Sequence, residues 1–334
     1  MKAAYLTGSL EPLIVKEVPT PHPGEQDVLI RVAYSALNHR DLWMFKGLYS
    51  GAKSDVVMGS DGCGVVEAVG AAVDPSLVGK EVIINPGMNW GTNPATFGKD
   101  FTILGNPQYG TFAEYVCVNH AYVYPKPDHL SASEAAALPL AGLTAFRALF
   151  TRAKVTAGER VLVTGIGAGT ALLAFQFALA AGAEVYVTSS SPEKIDKARA
   201  MGARDGLNYN DADWAEKFKE QMGGFDVIID SASGRNFERL IDVAAKGGRI
   251  AFFGATGGPI GDILPRKIFW NNLSLLGTTM GTQQEFGDMV GFVARHRLVP
   301  VVDRIFPSLH HTQDALEYMS KGHQFGKVVL RNTI

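Results

Sequence analysis

The sequence predicts an α/β protein built from a β-rich part and a doubly wound parallel sheet, and three observations carry that expectation. Up to residue 125 the chain consists of short β-like runs punctuated by Gly and Pro. From Arg160 onward, almost purely apolar strand-like runs alternate with helix-like ones, the pattern of a parallel sheet covered on both faces. The 334 residues, 46% of them hydrophobic, suffice for two modest domains with buried cores.

In the first part, "DVLIRVAYSAL", "GCGVVEAVG", "KEVIINPG" and "GTFAEYVCV" cluster β-branched and aromatic residues between turn signals, which predicts a barrel or half-barrel. The segment "YPKPDHLSASEAAALPLAGLTAFRALF" changes character: Ser131 or Ser133 is placed to cap a helix, and Ala-rich helical periodicity follows. Beyond it we read strands at "RVLVTG", "AEVYVTS", "GLNY", "FDVIIDS", "GRIAFFG" and "LSLLGTT". Helices are expected between them over 169–181, 192–201, 211–222, 234–245 and 263–270. A helix over 283–297 and a strand at "GKVVLRN" close the chain.

Composition narrows the function. A formal charge of −2 with no long run of either sign argues against a nucleic-acid or anionic-membrane surface. Two cysteines, Cys63 and Cys117, cannot form a disulfide framework, which suits a reduced cytoplasmic protein. The opening "MKAAYLTGSLEPLIVKEV" has no basic region followed by an apolar block, so no signal peptide is expected. The apolar stretch 161–183 is broken by Gly165, Gly167, Gly169, Thr170 and Gln176 and reads as strand, turn and helix, not a membrane span.

Gly165, Gly167 and Gly169 sit where the first strand of the second part turns into a helix. There a backbone approaches a pyrophosphate and free N–H groups point at it. The spacing is G-x-G-x-G, so a ligand-free turn and a dinucleotide site both stand on this motif alone. The second strand ends in Ser189, Ser190 and Ser191, followed by Lys194, where an NAD site usually carries a carboxylate. Hydroxyls and a cation suit a 2′-phosphate, which selects NADP (NADPH), although one serine serves equally to cap the next helix. Tyr209, after the third strand, is a further candidate contact.

Several ordered matches now add up: "MKAAYL", "DVLIRVAYSALNHRD", "GSDGCGVVEAVG", "GTFAEYV", "AAALPLAGLTAF", the Gly-rich turn, "AAKGGRIAFFG" and "FGKVVL". Together they resemble the medium-chain dehydrogenase/reductase superfamily, in its zinc-free quinone oxidoreductase-like branch, over essentially the whole chain. The resemblance implies a GroES-like β-rich domain over 1–128, a Rossmann NADP-binding domain over 129–281 and a return to the first domain over 282–334.

Zinc-dependent members of that superfamily carry a Cys after the "VLVKV" strand, a Gly-His-Glu motif about 20 residues later and a further ligand from the inter-domain helix. Those positions read Asn38, Gly59-Ser60-Asp61 and "LPLAGLTAF" here, without His or Cys. The region "MNWGTNPATFGKDFTILG", where relatives keep four cysteines for structural zinc, has none. The eight histidines make no ligand spacing either, so no metal is expected.

By the same resemblance, Asn38 and Tyr49 are the candidate catalytic hydrogen-bond donors. His39, Thr144, Phe253, Gly254, Met280, Gly281, Thr282 and Lys327 are candidate cofactor contacts beside the glycine turn. Met280, Gly281 and Thr282 are expected to act through backbone groups. Plain structural roles stand beside each: a loop-holding amide for Asn38, packing for Tyr49, a backbone-bonded helix Thr for Thr144. Without a Lewis acid, a quinone or α,β-unsaturated carbonyl is an easier hydride acceptor than a simple ketone. An NADPH-dependent quinone or enone reductase is therefore expected, with no nucleic-acid or membrane partner. The alternatives are an enoyl-CoA-type reductase and a non-enzymatic NADPH-binding sensor or structural protein. The apolar "LSLLGTT" reads as an edge strand able to pair in a homodimer.

Overall fold

The computed structural model describes residues 1–51 and 54–332, and the chain separates into two compact units. Unit 1 comprises Met1–Leu143 and Gly281–Ile334, and unit 2 comprises Thr144–Met280. The first part of unit 1 runs β1 (Lys2–Leu6), β2 (Ile14–Glu17), β3 (Asp27–Ala36), α1 (His39–Phe45), β4 (Val56–Val57), β5 (Asp61–Val69) and β6 (Glu81–Ile84). It continues through β7 (Gly87–Met88), β8 (Thr102–Ile103), β9 (Tyr115–Asn119), β10 (Val123–Pro125), α2 (Ala132–Ala136) and α3 (Pro139–Phe146).

Unit 2 alternates strictly: β11 (Arg160–Val163), α4 (Gly169–Ala180), β12 (Glu184–Ser189), α5 (Pro192–Ala200), β13 (Asp205–Asn208) and α6 (Trp214–Met222). Then come β14 (Phe225–Asp230), α7 (Phe237–Val243), β15 (Ala244–Phe252), α8 (Pro265–Trp270) and β16 (Ser274–Gly277). The chain returns to unit 1 with α9 (Gln283–His296), β17 (Val302–Phe306), α10 (Thr312–Ser320) and β18 (Lys327–Arg331).

The six strands of unit 2 form one parallel sheet in the order β13-β12-β11-β14-β15-β16. Strand order reverses on either side of β11, which opens a crevice at the carboxyl ends of β11 and β14, where such folds bind ligands. Strand β11 needs no polar face because both sides are covered: Val161, Leu162 and Val163 are fully buried. All the strands and helices expected from Arg160 onward are present.

Unit 1 is organised around β3, long enough to serve three partners. Its Asp27–Arg31 half pairs antiparallel with β9, its C-terminal end pairs with β18, and β5 runs along its other side. The pairing Val329↔Ala36 places the start of β18 beside the end of β3 and the loop entering α1. That register sets the geometry of the polar cluster described below.

The sequence places a division at 128/129, and the two compact units meet in the chain at 143/144. Helix α2 packs against β3 and β5, so its buried Ala135 and Ala136 belong to the core of unit 1. Ser131, not Ser133, is its N-cap, and Glu134 completes the capping box. No helix among the described residues is long and apolar enough to cross a membrane.

Candidate active site

In unit 2, β11 leads into a turn whose Gly165 and Gly167 adopt φ of +62° and +119°, conformations that L side chains rarely accept. Helix α4 starts at Gly169 behind Ala168, which gives no side-chain cap, so first-turn N–H groups are left for a ligand or solvent. Lys194 lies across this turn: a Cβ built on Gly167 would stand 2.7 Å from Lys194 Cδ and 3.2 Å from its Nζ. At the end of β14, Asp230 accepts bonds from Thr164 Oγ1 (2.5 Å) and the Ser233 N–H (2.7 Å). Burial still holds its carboxyl above the usual range, against the pull of those bonds.

At the tip of β12 the three serines divide their roles. Ser191 caps α5 and accepts the Lys194 N–H, while buried Ser189 accepts the Ser191 N–H at 3.2 Å. Of the two serines expected to meet the cofactor, Ser190 is exposed, while Ser189 is buried and its hydroxyl accepts the Ser191 N–H. Tyr209 stands next to them, its N–H on Ser189 O at 3.2 Å. Phe253 and Gly254 line a cavity of about 460 Å³ with Ser233, Phe252, Gly277 and Thr278. Thr144 Oγ1 and Met280 Sδ lie 3.9 Å apart, and Met280, at φ +42°, turns its side chain inward.

On unit 1, Gly281 packs against Leu143, where a Cβ would meet Leu143 Cδ1 at 2.6 Å. Thr282 is the N-cap of α9: its N–H donates to Glu285 Oε2 and its Oγ1 accepts the Glu285 N–H. The Thr282 N–H is thus occupied within the cap. The pattern Thr-x-x-Glu before an apolar run was the signal for this cap.

The densest polar arrangement in unit 1 lies where β3, β5, α1 and β18 converge. Lys327 is 4% exposed, and its ammonium donates to Leu37 O (2.8 Å), Asn38 Oδ1 (2.6 Å) and Asp61 Oδ2 (3.0 Å). Asn38 Nδ2 donates to the same Asp61 Oδ2 at 2.9 Å, and the Leu140 N–H holds Asp61 Oδ1 at 2.8 Å. Lysine, asparagine and aspartate thus close a ring of three hydrogen bonds. An ammonium only donates, so the ring fixes which end of the Asn38 amide faces Lys327. Lys327, expected to contact the cofactor, has all three donors committed within unit 1.

Around this ring, Arg40 Nη1 donates to Ser60 Oγ (2.6 Å) and Leu104 O (3.0 Å), and Ser60 Oγ donates to Leu104 O (2.8 Å). The Arg40 guanidinium sits 5.0 Å from the centre of the Tyr49 ring. The half-buried Tyr49 also packs against the Leu37, Leu42 and Met44 cluster. His39 opens to solvent, yet its pKa lies below the ordinary value, first through partial loss of hydration and then through Lys327 and Lys46. Asp41 is fully buried, with Oδ2 on the Asn38 N–H at 2.8 Å, and burial raises its pKa to about 6. The thiol of Cys63 is pushed up to about 12, mainly by burial, which makes it an inert packing group.

Comparison with known proteins gives the family of both parts of the chain. Residues 24–128 match the model of the alcohol dehydrogenase GroES-like domain, and residues 169–295 match that of the zinc-binding dehydrogenase. The chain is 37% identical to a zinc-type alcohol dehydrogenase-like protein YogA of Leptosphaeria maculans, over 96% of this chain and 94% of that one. It is 28% identical to a quinone oxidoreductase of Mus musculus, over 94% and 92%. A solved NAD-dependent alcohol dehydrogenase superposes with a TM-score of 0.94 at 36% identity, covering all of both chains.

A zinc ion, which these names imply, does not suit the residues at Asn38, Ser60 and Asp61. Asn38 Oδ1 and Asp61 Oδ2 already face an ammonium, and Ser60 Oγ faces a guanidinium. A divalent cation there would meet two resident positive charges and no His or Cys. Among the described residues no three His, Cys, Asp or Glu side chains gather closely enough to hold a metal. A nicotinamide dinucleotide does suit unit 2, whose positive-φ glycine turn and uncapped α4 offer the backbone groups that a pyrophosphate needs.

Proposed function

This chain belongs to the medium-chain dehydrogenase/reductase superfamily of oxidoreductases, and from that premise we propose that it reduces quinones or α,β-unsaturated carbonyls with NADPH, without a catalytic metal. The observation that carries the reading is the buried Lys327 ammonium on Asn38 and Asp61, two of the positions where zinc-dependent relatives hold their metal. When bound, NADPH supplies a hydride from its nicotinamide ring. The Gly165–Gly167 turn and the start of α4 bind its pyrophosphate, while Ser190, Lys194 and Tyr209 face the 2′-phosphate end. Thr144, Met280, Phe253 and Gly254 line the path to the nicotinamide, with His39 and Gly281 as further contacts.

The acceptor's β-carbon gains the hydride, its π electrons move onto the carbonyl oxygen, and one proton from water or Tyr49 completes the reduction. Asn38 bonds that oxygen through the Nδ2 hydrogen not given to Asp61. We place the protein in the cytoplasm as a homodimer. Both cysteines are free thiols, and edge strand β16 follows the exposed Leu264, Phe269 and Trp270 in the chain.

The test is a kinetic panel of 1,4-quinones, enones, enals, enoyl-CoAs and plain aldehydes with NADPH and NADH, run with metal analysis of the same preparation. Quinones or enones should turn over best with NADPH, with no stoichiometric zinc. Preferential turnover of plain aldehydes by a zinc-loaded protein would overturn the reading.

A further inference from the structure

The ring formed by Lys327, Asn38 and Asp61 does more than fill a space. A buried ammonium needs compensation by charge and by hydrogen bonds, and this one receives both from a single carboxylate, an amide oxygen and a main-chain carbonyl. Its shortest bond, 2.6 Å, goes not to the carboxylate but to Asn38 Oδ1. A charge-assisted bond at the oxygen of an amide draws electron density from its nitrogen and makes the N–H groups stronger donors. One Nδ2 hydrogen goes to Asp61, and the second shares the same polarisation.

Lys327 spends its three donors on Leu37, Asn38 and Asp61, so the donor this pair has left for a small ligand is the second Nδ2 hydrogen of Asn38. Asp61 sets the geometry: its Oδ2 bridges Lys327 and Asn38, and its Oδ1 is tied to the Leu140 N–H at the start of α3. The cluster is therefore pre-formed, with no reorganisation required when charge appears.

We infer that Lys327 is a positioning residue that acts through Asn38, supplying a fixed positive charge behind the amide which stabilises the oxyanion developing on the substrate. The inference rests on the quinone and enone reading above. It assigns Lys327 the electrostatic task that a metal would perform elsewhere, transmitted through one amide in place of direct coordination. No proton leaves the lysine: hydride adds to carbon, the electron pair settles on oxygen, and water or Tyr49 supplies the proton.

The experiment compares the wild type, Lys327→Met and the charge-balanced double variant Asp61→Asn/Lys327→Met, each checked for folding and for NADPH affinity by fluorescence titration. For an enone series with ring substituents of graded electron demand, kcat in both variants should fall roughly 10- to 100-fold while NADPH affinity stays within a few-fold. The dependence of kcat on electron demand should also steepen, because the substrate must then carry its own negative charge. A merely structural ion pair predicts otherwise: the double variant, free of unpaired buried charge, would recover kcat with the wild-type substituent dependence. That recovery overturns the inference and leaves the proposed function intact. A wild-type protein that reduces neither quinones nor enones overturns both.

Discussion

Lys194 crosses the glycine turn at Gly167, with its Cδ and Nζ at 2.7 and 3.2 Å from where a Cβ would be. The lysine therefore joins the glycine turn to the tip of β12, where Ser190 is exposed and the chain carries no carboxylate between Thr188 and Ser191. Lys194→Ala should weaken NADPH binding by roughly 1–2 kcal/mol and NADH binding little, the size expected of a charge-assisted contact to a 2′-phosphate. Fluorescence titration with both nucleotides decides it, and equal losses would sink the assignment to NADP.

Asp41 gives a signed pH dependence. Its carboxyl has a folded-state pKa of about 6 against an ordinary 3.8, because burial outweighs Arg40 and the Asn38 N–H. Below 3.8 the group is protonated in both folded and unfolded chains and its contribution is fully present. As pH rises from there to about 6, the unfolded chain loses the proton first and the contribution drains away. The stability of the wild type relative to Asp41→Asn should thus fall by on the order of 2–3 kcal/mol across that window and be level on either side. Urea unfolding of both proteins at a series of pH values measures the difference. A difference independent of pH would show that Asp41 titrates normally.

What could be read from the sequence divides along a physical line. The alternation after Arg160 determines a parallel sheet because strands buried on both faces must be apolar, so every strand and helix of unit 2 was visible. The absence of His and Cys at Asn38, Ser60 and Asp61 was equally visible, since ligand chemistry is a property of residue type. What replaces them was not. Lys327 reaches Asp61 across 266 residues of sequence, and only the β18–β3 register brings them together. The Arg40–Ser60 bond and the assignment of α2 to unit 1 are likewise consequences of packing between β3 and β5. The inward turn of Ser189 depends on which of three adjacent serines caps α5, a choice that one sequence leaves open.

The proposed homodimer is argued from an apolar surface. Leu264, Phe269 and Trp270, shortly before β16 in the chain, are 59%, 64% and 73% exposed, and β16 ends its sheet with one side unpaired among the described residues. Trp270→Glu should shift the protein from dimer to monomer in light scattering at micromolar concentration, with the helical circular-dichroism signal preserved. A wild-type monomer under the same conditions would remove the dimer from the reading.

Reinstating the ligands alone should not create a zinc site. Asn38→Cys with Ser60→His supplies two side chains of the kind that catalytic zinc prefers, beside the carboxylate of Asp61. Yet Lys327 would still stand 3.0 Å from Asp61 Oδ2, and Arg40 would still project its guanidinium toward position 60. A divalent cation entering there must displace a buried ammonium or share its carboxylate, and either cost exceeds that of leaving the metal in water. The double variant should therefore purify with far less than one zinc per chain by elemental analysis, and adding Lys327→Met should raise the occupancy. Full zinc loading of the double variant with Lys327 intact would mean that the ammonium does not guard the site, and the case against a metal would rest on residue type alone.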